Sequence, residues 1–423
     1  MISLSNVSQL ELNTYLKPGD SIILGQACGE PTTLVQALIE QGSNIGDLKA
    51  FIATSFSGLF QPHSADSFRL SSMGAIGALR SMTKANLMDV IPIHVSQVAP
   101  AIQNNLLPCD VAFVQVSRPN ADGQFSCGLI SDYVKAAVKK ARVVIAEINH
   151  NVPFTVGETL TADDIDIGVE TDQMPVTVAA AKITELDQAI AKHCAAYIID
   201  GCVIQTGVGA VPDAILRLLG DRKDLGVHSG MLGDGLVELI EQGVITNARK
   251  KIDPGVTING ALIGSQKLYD FANENKSVKM CATDYTHNAA VLDQLDQLVT
   301  LNSALEVDLT GQVNAEQSGS AYLGGTGGQV DFVRAGARSR GGCSIIALPS
   351  TAKRGELSRI CLALSGPVTS ARTEVDVIVT EYGAAELKGQ SLAERAKRLV
   401  TIAHPDFQEQ LSKEAHAIAK RGF

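Results

Sequence analysis

"VIQTGVGAVPDAILRLLG", Val203 to Gly220, decides the fold. An apolar, β-branched run leads into a loop carrying Gly207 and Gly209. Pro212 and Asp213 then suit the first turn of an amphipathic helix. Strand, tight loop and helix in that order are the unit of a parallel α/β sheet. The unit has an echo in "IILGQACGEPTTLVQALIE", Ile22 to Glu40, with Pro31 and Pro212 in register. Working outward, "DLKAFIATSFSG" stands beside "DLGVHSGMLGDG". "CDVAFVQVSRPNADGQFS" stands opposite "LVTLNSALEVDLTGQVNAE", each a strand running into a turn that ends in Gly-Gln, Gly123-Gln124 and Gly311-Gln312. Three correspondences in the same order predict two related domains, with the boundary between about residues 162 and 188. We place them at 1–175 and 176–423.

Other buried-strand patterns agree: "SIILGQ", "VIPIHV", "VVIAEI", "YIIDGCVIQTG", "VTINGAL", "CSIIALP" and "VDVIVTEYG", separated by helical patterns. The 423 residues suffice for two sizeable cores, and the net charge of −10 argues against a nucleic-acid surface. An anionic ligand would have to be held by local features such as helix N-termini and single Lys or Arg side chains. No apolar run reaches membrane-spanning length and no secretory signal is apparent, so the expected location is the cytoplasm. Eight cysteines without any CxxC read as reduced, mostly buried thiols, and the histidines show no zinc spacing; no metal is expected.

Several segments can carry chemistry. The loop of "DGCVIQTGVGAVPDAILRLL" can receive a phosphate or acyl group on backbone N–H groups, although its spacing fits neither a Walker A loop nor a dinucleotide fingerprint. The glycine-rich "SGSAYLGGTGGQVDFVRAGARSRGG", residues 318 to 342, allows close backbone approach to a ligand. "SIIALPSTAKRGELSRI" follows, with Lys353 and Arg354 at a turn. Glu30, Glu306 and Glu381 fall at ends of apolar strands, where partial burial can make a carboxylate a base or a nucleophile. Each could instead cap a helix or pair with an arginine.

The motifs "QTGVGAVPDAIL", "HSGMLGDGLVELIEQGVITN", "NSALEVDLTGQVNAE", "GGTGGQVDF", "ALPSTA" and "VTEYGAAELKGQSLAERAKRLVTIAHPDF" resemble the acetyl-CoA hydrolase/transferase family, close to the 4-hydroxybutyrate and butyryl CoA-transferases. The likeness runs over nearly the whole chain. It implies an α/β fold of two similar class I CoA-transferase domains with mainly parallel sheets and the active site between them. The first would be the acyl or acceptor side, and the second the CoA-binding side. It also implies a ping-pong reaction through a glutamyl anhydride and a glutamyl-CoA thioester, with coenzyme A as substrate and a homo-oligomer, dimer or tetramer, as the assembly. CoA contacts would fall on Gln205, Thr206, Gly207, Val208, Gly209, Leu305, Gly324, Gly328 and Lys353. Gly328 would serve as the oxyanion site, and Glu381 would match an acidic position near it.

The chain departs from the resemblance at one place. Relatives read "GIHTEM" or "GIHSEM", with the glutamate as nucleophile, whereas "GVHSGM" here puts Gly230 in that position. Glycine can form neither anhydride nor thioester. Another carboxylate, Asp234, Glu30, Glu306 or Glu381, could take over, or the acceptor acid could attack bound acyl-CoA directly. Two other readings are an acyl-CoA hydrolase, with Ser57 or His228 supporting a water, and a CoA-binding protein without catalysis. Gln61, His63 and Arg69 are candidates for a second substrate carboxylate of succinyl or itaconyl type.

Overall fold

A computed structural model describes residues 1–421. The chain is α/β and falls into two compact units, neither of them a single stretch of sequence. The first is Met1–Ala179, Gly230–Asp234 and Val256–Asn288; the second is Ala180–Ser229, Gly235–Gly255 and Ala289–Phe423.

The first unit is built on eight strands: β1 (Ile2–Leu4), β2 (Ser21–Leu24), β3 (Lys49–Phe51), β4 (Arg69–Ser72), β5 (Met88–Val90), β6 (Val111–Val116), β7 (Val143–Asn149) and β8 (Ile167–Thr171). They lie in the order β1-β8-β7-β6-β2-β3-β4-β5, and every pair is parallel. Helices cover a parallel sheet on both faces, so its strands read as unbroken apolar runs, and all six residues of β6 are buried. Helix α1 (Thr32–Gln41) packs Leu34 and Leu38 onto Ile22, Leu24 and Phe113. It starts where it does because the Glu147 carboxylate on β7 accepts the N–H groups of Thr33 and Leu34 at 2.8 and 3.3 Å. From β2 the chain adds β3, β4 and β5 on one side, whereas β6 pairs on the other. The crevice outside the carboxyl ends of β2 and β6 is therefore a topological switch point.

The main sheet of the second unit has six strands, β9 (Val203–Thr206), β10 (Gly226–Val227), β11 (Leu298–Ser303), β12 (Cys343–Ala347), β13 (Val377–Thr380) and β14 (Gly383–Glu386), in the order β10-β9-β11-β12-β13-β14. Only β14 is antiparallel. Helix α2 (Ala210–Arg217) follows β9, and the switch point lies between β9 and β11.

The echo between the halves extends to single hydrogen bonds. Asn120 Oδ1 accepts the N–H groups of Asp122 and Gln124 at 3.0 and 2.9 Å, and Asp308 Oδ1 accepts those of Thr310 and Gln312 at 2.8 and 3.0 Å. Both turns place a glycine at positive φ, Gly123 at 75° and Gly311 at 93°. The same side-chain-to-backbone turn thus closes the same strand in each unit.

Some strand expectations shift. "VIPIHV" is not itself a strand, because β5 ends at Val90. "YIIDGCVIQTG" becomes a strand only at Val203, after a turn at Gly201 (φ 81°) in which Asp200 Oδ1 accepts Lys223 N–H. "DLGVHSGMLGDGLVELIEQGVIT" holds two short strands rather than one. Gly226–Val227 joins the second sheet, Met231–Leu232 pairs with Ala261–Leu262 in the first unit, and α3 (Asp234–Glu241) follows. Among the described residues no helix is long and apolar enough to cross a membrane.

Candidate active site

At the carboxyl end of β9, Gln205 and Thr206 are buried, and Asn302 on the neighbouring β11 donates to Gln205 Oε1 at 3.1 Å. The side chain of Gln205 is thereby fixed at the switch point. Thr206 O accepts the Ser229 hydroxyl at 3.0 Å. Beyond it the backbone opens. A Cβ on Gly207 or Gly209 would meet nothing within 4 Å, so packing does not explain either glycine. Gly209 caps α2 at φ 131°, where other residues are strained, while Val208 between the glycines is 36% exposed. Free N–H groups at a helix start, with exposed glycine backbone in front of them, suit an anion or a carbonyl oxygen. Pro212 is the third residue of α2, still within the turn whose N–H groups have no helical partner.

The remaining sequence-assigned CoA positions of the second unit lie on its loops. Leu305 N–H donates to Asn314 O at 2.8 Å. Gly324 is required by packing, because a Cβ there would lie 2.2 Å from Ala315 O. Gly328 caps the ten-residue helix α4 (Gln329–Arg338). Lys353 is exposed, and both it and Arg354 have left-handed backbone (φ 50° and 59°) in the hairpin between Thr351–Ala352 and Leu357–Ser358. Strain of this kind costs about 1–3 kcal/mol per residue and persists only where the surroundings impose it.

Three of the four carboxylates proposed as replacement nucleophiles are engaged by serines in the same way. Glu381 accepts Ser350 N–H and Oγ–H at 2.8 and 2.6 Å. Glu306 accepts Ser365 N–H and Oγ–H at 2.6 and 2.9 Å and Asn314 Nδ2 at 2.8 Å. Asp234 accepts Ser265 N–H at 3.0 Å and its hydroxyl at 2.8 Å. A carboxylate bonded to a serine amide and hydroxyl pins a loop, and those two bonds hold it in place there. Glu30 differs by being wholly buried. Ser55 and Ser57 donate to its two oxygens at 2.7 and 2.5 Å, and burial, only partly offset by those hydroxyls, pushes its pKa up to about 7.

Around the first switch point the structure adds residues that the sequence reading missed. Gln26, on the same loop as Glu30, donates to Asp132 Oδ2 at 2.5 Å. Gln115 on β6 donates to both Glu30 O and Glu147 Oε1, at 3.2 and 3.1 Å. Burial raises Asp132 and Glu147 to about 7 as well. Burial thus favours the neutral form of all three carboxyl groups. Asp132 lies close to Gly230 along the backbone: Gly260 N–H donates to Gly230 O at 3.2 Å, and a Cβ on Gly260 would be 2.4 Å from Asp132 Oδ1. In the second unit, Arg359 has its Nε buried and unpartnered, with Nη1 donating to Ala304 O at 3.3 Å. The only sequence signal for these residues was their place beside strand ends.

Gln61 donates to Gly58 O on its own loop, while His63 and Arg69 are exposed. None of the eight cysteines forms a disulfide, and six of them are buried. Among the described residues no group of three or more His, Cys, Asp and Glu side chains could hold a metal ion.

Parallel α/β sheets with open glycine loops at their switch points define a class of enzymes that bind phosphorylated or acylated ligands. Within that class the chain belongs to the acetyl-CoA hydrolase/transferase family: the family's N-terminal domain matches residues 6–180 and its C-terminal domain residues 264–415. It is 40% identical to the 4-hydroxybutyrate coenzyme A transferase of Clostridium kluyveri over 398 residues, 93% of each chain. Two solved structures share the fold. One is 4-hydroxybutyrate CoA-transferase from Porphyromonas gingivalis (TM-score 0.83, 34% identity, 100% of this chain and 98% of that one). The other is RipA from Yersinia pestis (TM-score 0.91, 31% identity, 99% and 97%).

Proposed function

We propose that the chain moves CoA between a short-chain acyl-CoA, of 4-hydroxybutyryl, butyryl, acetyl or succinyl type, and a carboxylic acid. It would do so in the cytoplasm, as a homo-oligomer and without a metal. The observation that carries this reading is the open loop Gln205–Gly209 at the second switch point, in a chain whose relatives include CoA-transferases. In this reading the loop receives CoA with Leu305, Gly324, Gly328 and Lys353, and residues 1–175 form the acyl side.

Gly230 stands where the family resemblance puts a nucleophilic glutamate. Asp234, Glu306 and Glu381 serve as loop anchors, and both oxygens of Glu30 are occupied. We therefore assign the attack to the acceptor acid itself. Its carboxylate oxygen bonds to the thioester carbon, and the C–S bond breaks with its electron pair going to sulfur. The CoA thiolate then attacks the acceptor's carbonyl in the resulting anhydride, releasing the donor acid. N–H groups at Gly328 would take the oxyanion. The protein supplies proximity, which can be worth about 7–11 kcal/mol of barrier.

Incubating butyryl-CoA or 4-hydroxybutyryl-CoA with acetate should yield acetyl-CoA in proportion to acetate bound. Tight CoA binding with no exchange across a panel of short acids would overturn the reading.

A further inference from the structure

We infer that Arg359 is a positioning residue of the CoA site, whose guanidinium holds the Ala304–Leu305 peptide at the carboxyl end of the second unit's main sheet. The inference rests on the reading of Leu305 and Lys353 as CoA contacts, and its basis is geometric. Arg359 is half-buried, at the base of the hairpin that carries Lys353. Its backbone N–H donates to Ser350 O, and its carbonyl accepts Val307 N–H, both at 2.8 Å. Its side chain makes a third tie, with Nη1 donating to Ala304 O at 3.3 Å. One residue thus joins the chain leaving β11, which carries Leu305, to the chain leaving β12, which leads to Lys353.

The two backbone bonds need no arginine. What the side chain adds is the bond to Ala304 and a positive charge. Glu381, just past β13, acts on that charge through space, but its two oxygens take the N–H and hydroxyl of Ser350 instead of the guanidinium. Nε is buried and has no hydrogen-bond partner. Burial pulls the pKa of Arg359 below its ordinary value, and Glu381 offsets this only in part. A cation so placed is a poor device for stability, because an apolar side chain of similar volume would leave no buried donor unmet.

The bond to Ala304 has a specific consequence. Ala304 C=O and Leu305 N–H belong to one planar peptide unit, so turning either turns the other. The N–H side is held by Asn314 O at 2.8 Å, and the C=O side by Arg359. Held at both edges, the peptide cannot rotate without breaking a bond, and Leu305 is already in place when CoA arrives. Ordering done in advance is not charged to binding. Without the guanidinium the C=O edge is free, and the turn has to be ordered by CoA itself. Arg359 acts through Leu305, and no bond to the reacting atoms is asked of it.

The test is calorimetry of CoA binding to the full chain, paired with melting curves and steady-state rates. R359M should weaken CoA binding by about tenfold, the worth of one hydrogen bond to a charged group. Its melting temperature should stay the same or rise, which a merely structural arginine would not allow. The loss should appear in the KM for butyryl-CoA and not in that for acetate, and R359K, which keeps a charged donor, should recover most of it. Should R359M melt early, R359Q takes its place with the same expected loss. A folded neutral variant that binds CoA like the wild type, or a loss that R359K shares in full, overturns the proposal. CoA binding that depends on Arg359 without any exchange between acids would overturn the transfer reading and leave this one standing.

Discussion

Gly230 and Gly209 are the two positions at which a single side chain decides most. Gly230 can supply no carboxylate, so G230E supplies one where the family resemblance puts its nucleophile. It should change two-substrate kinetics from intersecting to parallel lines and raise transfer by about 10²-fold or more, measured as initial rates. Gly209 is needed for its backbone: at φ 131° another residue pays about 1–3 kcal/mol. G209V should therefore weaken CoA binding by about tenfold or more in calorimetry and lower the melting temperature, whereas V208A, at an exposed position, should leave the melting temperature unchanged.

The elements with most influence are the β2–α1 loop, which carries Glu30 and holds Asp132 through Gln26, and β7, which carries Glu147. Each carboxyl is raised by burial to about 7 from an ordinary value near 4. The folded state thus holds protons that the unfolded chain has already lost. Their contribution is complete below the ordinary carboxylate range and is lost as pH rises through about 7. The melting temperature should rise between pH 8 and pH 5.5, and E147Q should flatten that slope. Much of this scale was legible in the sequence. The two strand–loop–helix units and the Gly-Gln turns were visible because apolar runs and Asx turns are local. The carboxyl cluster was not, because Gln26 meets Asp132 across 106 residues of sequence. Nor was the role of Glu306 and Glu381 visible, because a serine that pins a carboxylate looks like any other serine.

For the whole molecule, each unit carries its own core. Phe113 is fully buried among Ile22, Leu24 and Leu34, and F113A should cost about 3–5 kcal/mol of stability, read by denaturant titration. CoA at 100 times its dissociation constant should add about 2.7 kcal/mol, with exchange protection at residues 205–209. The return of residues 230–234 and 256–288 to the first unit was not readable in the sequence. It depends on the pairing of Met231–Leu232 with Ala261–Leu262, two short strands with no periodicity of their own.

The central claim is that CoA passes between substrates without an enzyme-bound acyl group at residue 230. Initial rates of the wild type, with acyl-CoA and acceptor acid varied together, test it most directly. Intersecting double-reciprocal lines, and no modified carboxylate after borohydride trapping, are the predicted result. Parallel lines with a trapped glutamyl or aspartyl thioester would contradict it.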